Sequence, residues 1–433
     1  MLEMDVLQDP PALRPSMASN GRPYRHAKIL ATLHTQPLGV LDVDLPPDGL
    51  MAEELSAILK QELCIEIAGH LRRDGLDLGD RPAPTGAGDA GVPACLERRA
   101  RVAATGPLVS VVIPTRDRIA SLDRCLDALA SLDYVRYEVV VVDNAPANDA
   151  TADLVRRRAR AWPRLRYVRE DHPGPARARN RGLACSQGDI VAFVDDDIAC
   201  PRGWLSSLVA GFDVGERVAC VTGPILPREL ETAAQIWLEQ FGGFSKGFSP
   251  RIYDLQEHRP PDILFPYTAG KFGSGANMAF RASILRSLGG FDPALGPATP
   301  TRSAEDIDLF FQVIASGYQL VYQPEALVRH THSRDYARLR KQIHAYGVGL
   351  AAFLTKCLWE DPSRVFDVCR RLPAGLWYAL SPTSSKNQKK TAAYPRALTR
   401  TELAGMAYGP IAYALSRWRT SNAPRLVAKH DEQ

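Results

Sequence analysis

The sequence runs to 433 residues, 45% hydrophobic and 24% charged, with a formal net charge of +4, which describes a soluble globular protein of more than one module. Its eight cysteines form no C-x-x-C pair, so neither a zinc ribbon nor a disulfide framework is expected, and a reducing cytoplasm fits. The opening Met1-Leu-Glu-Met-Asp5 lacks the basic-then-apolar layout of an export signal, and no apolar run reaches the ~20 residues of a spanning helix.

In chain order, residues 1–107 read as an N-terminal α+β region. A proline-rich start precedes extended runs at residues 27–33 and 39–45 and a helical pattern over residues 51–71. The stretch from Asp80 to Pro93, dominated by Asp, Pro, Gly and Ala, reads as a linker. No chemistry is assigned to this region.

Residues 108–333 alternate β-branched runs with helical patterns, which predicts an α/β unit with a mostly parallel sheet. The first strand is Val109 to Ile113, stopped by Pro114, and a helix follows from Ile119 to Leu132. A second strand begins at Tyr137 and ends in Asp143-Asn144, and a third, from Ile190 to Val194, runs into Asp195-Asp196-Asp197. Three carboxylates at a strand end repel and raise one another's pKa, a cost that a hard divalent cation beside a substrate diphosphate removes. Ligands of open α/β sheets bind beyond the carboxyl ends of the strands. Thr115, Asp117, Asp143 and Asp195 to Asp197 are therefore expected along one crevice. If the third strand continues, Asp195 and Asp197 share one side and Asp196 faces away.

The later part of this segment holds Gly273-Ser-Gly275-Ala-Asn277, which fails the G-x-G-x-x-G pattern at Met278. It also holds an aromatic-rich run from Trp237 to Tyr253, read either as an acceptor-side loop or as core. A second acidic cluster, Glu305-Asp306-Ile-Asp308, opens a helix whose Ile307, Phe310, Phe311 and Ile314 follow helical spacing up to Gly317. Ser303 and Asp306 also have the spacing of a capping box. Residues 334–433 read as short apolar-faced helices interrupted at Pro362 and Pro373, and carry 17 Lys and Arg against 7 Asp and Glu. No nucleic-acid motif accompanies that charge. The tail either docks on an anionic cytoplasmic leaflet or covers the catalytic core or a dimer contact.

Five motifs stand in order: Val-Ser-Val-Val-Ile-Pro-Thr-Arg-Asp at 109–117, Val-Val-Val-Asp-Asn at 140–144, Ala-Arg-Asn-Arg-Gly at 178–182, Phe-Val-Asp-Asp-Asp at 193–197 and Ala-Glu-Asp-Ile-Asp-Leu at 304–309. Through them the chain resembles the bacterial family 2 glycosyltransferases, inverting enzymes of the Rossmann-like GT-A fold. The resemblance implies a nucleotide pocket at Pro114, Thr115 and Asp117, with Asp143 at the base and Arg179 near the nucleotide. It puts Asp195 at the ribose and metal, Asp197 and His330 on Mg²⁺ or Mn²⁺, and Asp196 as a second choice in the donor site. Gly275 and Asn277 fall in the sugar-side loop, and His332 is the neighbour most easily mistaken for His330. Asp306 becomes the general base, with Glu305 orienting it or the acceptor.

The implied partners are a nucleotide-diphosphate sugar and a hydroxyl-bearing glycan, lipid-linked or small-molecule acceptor, as in the synthesis of cell-surface polysaccharide, glycolipid or a glycosylated metabolite. The implied location is the cytoplasm or its membrane face. Two alternatives compete. A sugar nucleotidyltransferase needs a glycine-rich basic loop after the first strand, which Pro114-Thr-Arg-Asp117 lacks. A noncatalytic sugar-binding or nucleotide-binding protein needs no second acidic cluster.

Overall fold

The computed structural model describes residues 1–17, 21, 23–76 and 92–421. Strand β1 (Leu2–Asp5) lies parallel to β2 (His26–Leu33), which turns through His34 and Thr35 into antiparallel β3 (Gln36–Asp44). Ile29, Ala31 and Leu33 pack with Leu55, Leu59 and Leu71 of α1 (Ala52–Glu62) and α2 (Cys64–Arg73). The single helix expected over residues 51–71 is broken at Leu63, where φ is −115° and ψ 19°. Residues 80–91 of the expected linker lie outside the described residues. Pro93 precedes α3 (Ala94–Thr105), a helix the sequence reading did not foresee, which sends Val102 into the main core.

The central segment proceeds through β4 (Val109–Thr115), α4 (Ile119–Ala130), β5 (Tyr137–Asn144), α5 (Ala150–Ala159), β6 (Leu165–Glu170), α6 (Pro175–Cys185) and β7 (Ile190–Val194). It continues with β8 (Ile198–Ala199), α7 (Trp204–Ala210), β9 (Val218–Thr222), β10 (Ile225–Pro227), α8 (Ala233–Phe241) and β11 (Arg251–Tyr253). The last elements of the segment are β12 (Asn277–Arg281), α9 (Ala282–Ser287), α10 (Glu305–Ala315), β13 (Gln319–Tyr322) and β14 (Val328–His330).

An eight-stranded sheet runs β11-β13-β9-β12-β7-β4-β5-β6. Its β7-β4-β5-β6 half is parallel; β12 is antiparallel to both neighbours, β9 and β13 are parallel, and β11 closes the edge antiparallel. The valine runs are unbroken because both faces are covered. Val111, Val139 and Val141 join one core, while Val112, Val140 and Val142 join the other. Strand β4 does not stop at Ile113 as expected. Its pairing with β7 ends at Val112, so Pro114, which has no N–H, sits beyond that ladder and continues only against β5.

The C-terminal helices are α11 (Tyr336–Glu360), α12 (Arg364–Leu380) and α13 (Arg396–Ser421). Two of the expectations for them are corrected. The helices are long rather than short, and Pro362 separates two of them whereas Pro373 lies inside α12. Helices α11 and α13 approach so closely that a Cβ at Gly347 would clash with the Glu402 carbonyl oxygen. Among the described residues no helix is long and apolar enough to cross a membrane.

Candidate active site

The chain places β5 and β6 on one side of β4 and β7 on the other, which leaves a crevice at the carboxyl ends of β4 and β7. At the end of β4, Thr115 pairs in register with Asp143 and donates its hydroxyl to Asp196 Oδ2 at 2.6 Å. Because β7 ends at Val194, Asp195 to Asp197 form a turn, and the strand alternation expected for them does not apply. Asp196 is buried, and burial raises its pKa to about 6 although Arg118 and Thr115 oppose the shift. Arg118 Nη1 lies 2.7 Å from Asp196 Oδ1, and its Nη2 donates to Asp197 Oδ2 at 2.7 Å.

Burial also pushes Asp197 up, yet His330 and Arg118 more than offset it, holding that carboxylate well below its ordinary range. His330 Nε2 lies 3.2 Å from Asp197 Oδ1. His330 Nδ1 is 2.9 Å from His332 Nδ1, and buried His332 reaches Glu239 Oε1 through Nε2 at 2.9 Å. Asp143 is fully buried, which raises its pKa; Tyr167 donates its hydroxyl to Oδ2, while Oδ1 accepts no hydrogen bond from the described residues. Asp117, at φ 52°, takes the Ala147 N–H on Oδ1, and Pro114 is half-buried beside it.

At the second acidic cluster the expected Ser303 cap does not form. The residue preceding α10 is Ala304, at φ 92°, with no side-chain cap. Asp306 instead accepts the Gly275 N–H on Oδ2 at 2.7 Å and the Ile307 N–H on Oδ1 at 2.9 Å. Arg179 of α6 joins the two clusters. Its Nη1 donates to Glu305 Oε1 at 2.9 Å, and its Nη2 to Asp195 Oδ1 at 3.3 Å and to the Gly275 carbonyl at 3.4 Å. Burial raises both Asp195 and Glu305, with Arg179 opposing in each case. Gly275 is closely packed, since a Cβ would meet Asp306 Oδ2 at 3.0 Å and Arg179 Nη2 at 3.3 Å, and those side chains would have to give way.

Arg179, Asp195, Gly275, Glu305 and Asp306 line one cavity of about 1810 Å³, more than the ~300–1,000 Å³ of an ordinary single-ligand pocket. Phe241, Phe244 and Lys246 of the aromatic-rich run line it too, so part of that run faces the cavity while Trp237 packs edge-on against Tyr336. Burial, with Lys389 nearby, lowers the Lys246 pKa to about 8. Leu354, Leu372, Leu376 and Met406 also line the cavity. Asn277 is a correction. It is wholly buried, accepts from Trp204 Nε1, and donates to the carbonyls of Pro224 and Ala326, so it holds strands together and offers nothing to a ligand.

The donor set fits a hard divalent cation. Asp197 Oδ1 accepts no hydrogen bond from the described residues, an imidazole nitrogen stands beside it, and the Asp195 carboxylate remains about 36% exposed.

Residues 110–289 match the family model described as Glycosyl transferase family 2. The central segment is a family 2 glycosyltransferase domain. The chain is similar to the pre-mycofactocin glycosyltransferase of Mycobacterium tuberculosis, 31% identical over 225 residues, spanning 52% of this chain and 43% of that protein. It is also similar to the GalNAc(5)-diNAcBac-PP-undecaprenol beta-1,3-glucosyltransferase of Campylobacter jejuni, 28% identical over 184 residues, or 42% of this chain and 54% of that one. Among solved structures, a mannosyltransferase from Pyrobaculum calidifontis in complex with GDP-Man and Mn²⁺ aligns at 23% identity and a TM-score of 0.46, covering 74% of this chain and 81% of that chain.

Sequence reasoning missed several residues around the family 2 domain's crevice. Arg118 directly follows Asp117 and could have been suspected from the acidic turn it must face. Glu239, on α8, and the role of His332 behind His330 depend on tertiary packing. So does Lys356 of α11, whose ammonium lies 2.7 Å from Asp308 Oδ2 and 3.0 Å from Asp292 Oδ2 and ties the C-terminal helices to α10.

Proposed function

We propose that this protein is a metal-dependent inverting glycosyltransferase that moves a sugar from a nucleotide-diphosphate sugar to an acceptor hydroxyl. The observation that carries the reading is Arg179, which joins the strand-end carboxylate Asp195 to the helix-end carboxylate Glu305 in the lining of one cavity that Asp306 also lines. Asp195, Asp197 and His330 would hold Mg²⁺ or Mn²⁺, which supplies Lewis-acid neutralisation of the leaving diphosphate. Thr115, Asp117 and Asp143, at and beyond the carboxyl ends of β4 and β5, would face the nucleoside. Asp306, fixed by two backbone N–H groups, takes the acceptor's hydroxyl proton. The acceptor oxygen bonds to the anomeric carbon as that carbon's bond to the phosphate oxygen breaks, and the electron pair leaves with the diphosphate, inverting the centre. Glu305 and Arg179 position Asp306 rather than react. A carboxylate is a weak base, so the rate depends on alignment.

The reading also accounts for the apolar wall. An acceptor with a lipid portion would lie along Leu372 and Leu376, residues of α12 that line the cavity and are also exposed beside Phe366, Trp377 and Leu380. With the basic balance of the C-terminal region, that face suits an anionic leaflet. Phe366→Ser with Trp377→Ser should then reduce co-sedimentation with phosphatidylglycerol vesicles and leave transfer to a short soluble acceptor unchanged.

The decisive experiment incubates purified protein with UDP, GDP and TDP sugars, with and without Mn²⁺, and an acceptor mixture. Release of nucleoside diphosphate together with a product of inverted anomeric configuration is expected. Release of nucleoside triphosphate and sugar-1-phosphate on addition of pyrophosphate would favour the nucleotidyltransferase, and binding without turnover a noncatalytic role.

A further inference from the structure

A second set of donors lies outside the cavity lining, in the region that carried no chemistry in the sequence. His34 occupies the β2–β3 turn, His70 the last turn of α2, Asp74 the residue closing α2, and Cys95 the first turn of α3. One ligand atom from each falls within 4.8 Å of all the others. His34 Nδ1 is 3.2 Å from His70 Nε2 and 2.8 Å from Asp74 Oδ2; His70 Nε2 is 3.1 Å from that same oxygen. Cys95 Sγ lies 3.7 Å from each imidazole nitrogen and 3.0 Å from Asp74 Oδ2.

These six separations are the edges of a tetrahedron. Their mean of about 3.3 Å puts its centre about 2.0 Å from each corner, close to the ~2.0–2.3 Å bonds of zinc to nitrogen, oxygen and sulfur. We propose that His34, His70, Asp74 and Cys95 bind one Zn²⁺ in a closed, structural, four-coordinate site. A thiolate and a carboxylate balance the ion's charge, and sulfur and imidazole donors select zinc over the magnesium or manganese that suits the strand-end aspartates.

Two independent features support the assignment. The Cys95 N–H donates to Asp74 Oδ1 at 3.1 Å, orienting the carboxylate so that Oδ2 faces the other donors. The turn itself is costly. His34 and Thr35 have φ of 52° and 66°, conformations that two-residue hairpins usually fill with Asn-Gly, so a histidine there requires a reason beyond the turn. Arg99 of α3 also hydrogen-bonds Thr35 Oγ1, drawing α3 against the hairpin. Arg98 in turn donates to the Ala210 carbonyl of α7. A zinc ion here would fasten the N-terminal sheet to the family 2 domain through α3.

The test is metal content of the full chain after dialysis, with Co²⁺ substitution as the spectroscopic probe. About one zinc per chain is expected, and the Co²⁺ form should show tetrahedral d–d bands with a thiolate charge-transfer band. Cys95→Ser should abolish the charge-transfer band. His34→Asn should lose zinc while folding normally, because Asn accepts the positive φ. Asp197→Asn should retain it. Zinc at background in the unsubstituted protein, or zinc that survives both Cys95→Ser and His34→Asn, would overturn the site. So would zinc lost only in Asp197→Asn, which would place the ion at the strand-end aspartates.

Discussion

The two halves of the candidate active site solve opposite electrostatic problems. At the strand end, each of three carboxylates faces a protein cation. Arg118 spans Asp196 and Asp197, His330 faces Asp197, and Arg179 reaches Asp195. At the helix end, Asp306 takes, among the described residues, only backbone N–H groups and lines the cavity, its neighbour Glu305 having claimed Arg179. Charge is pooled in one half and kept available in the other. That contrast is what a diphosphate leaving group and a hydroxyl proton respectively require.

Separating the halves should give the largest effect. Asp306→Asn keeps the hydrogen bond from Gly275 but removes the proton acceptor, so transfer should fall about 10²–10⁴-fold while Mn²⁺-dependent nucleotide binding, read by calorimetry, stays intact. Loss of binding as well would show that the halves are one electrostatic unit. Asp197→Asn should do the reverse, weakening Mn²⁺-dependent nucleotide binding and lowering kcat/KM about a hundredfold, or ~3 kcal/mol. If Mn²⁺ titrations of the variant and the parent superimpose, the cation does not sit on Asp197. His332→Gln acts one step further out. It unties His330 from Glu239 and should raise the Mn²⁺ concentration for half-maximal activity about 10–100-fold with kcat at saturating metal nearly unchanged; an equal drop in kcat at all metal concentrations would make His332 merely structural.

The contrast was half legible in the sequence. Carboxylates at strand ends and in a first helical turn are local signals, so Asp143, Asp195, Asp197 and Asp306 stood out, and the valine runs named the strands. The cations that partner them belong to other elements. Arg179 was found only through family resemblance, and neither its link to Glu305 nor the His332–Glu239 contact has a sequence signature. Asn277 misled for the same reason, because a polar residue after two glycines looks available until three buried partners claim it. The His34, His70, Asp74 and Cys95 cluster is the extreme case, since its donors come from a hairpin turn and two helices, and no spacing rule joins all four, only His70 and Asp74 standing four residues apart.

The smallest and most informative effect belongs to Arg118, which the sequence left unmarked beside Asp117. Its guanidinium stands where charge must be neutralised, but about half of its side chain is exposed, so solvent screens the pairs and each is worth no more than ~1 kcal/mol. Arg118→Gln should therefore shift two quantities by only about two- to fivefold, in opposite directions. Mn²⁺ should bind Asp195 and Asp197 more tightly, because a competing cation is gone. The nucleoside diphosphate should bind more weakly at saturating Mn²⁺, because a guanidinium freed by the ion can turn to the phosphates. Calorimetric titrations with Mn²⁺ alone and with UDP or GDP at fixed Mn²⁺ separate these effects. Weakening of both would mean that Arg118 holds the aspartate turn in shape, and the strand-end half would then be a scaffolded site rather than one in which protein cations stand in for a metal.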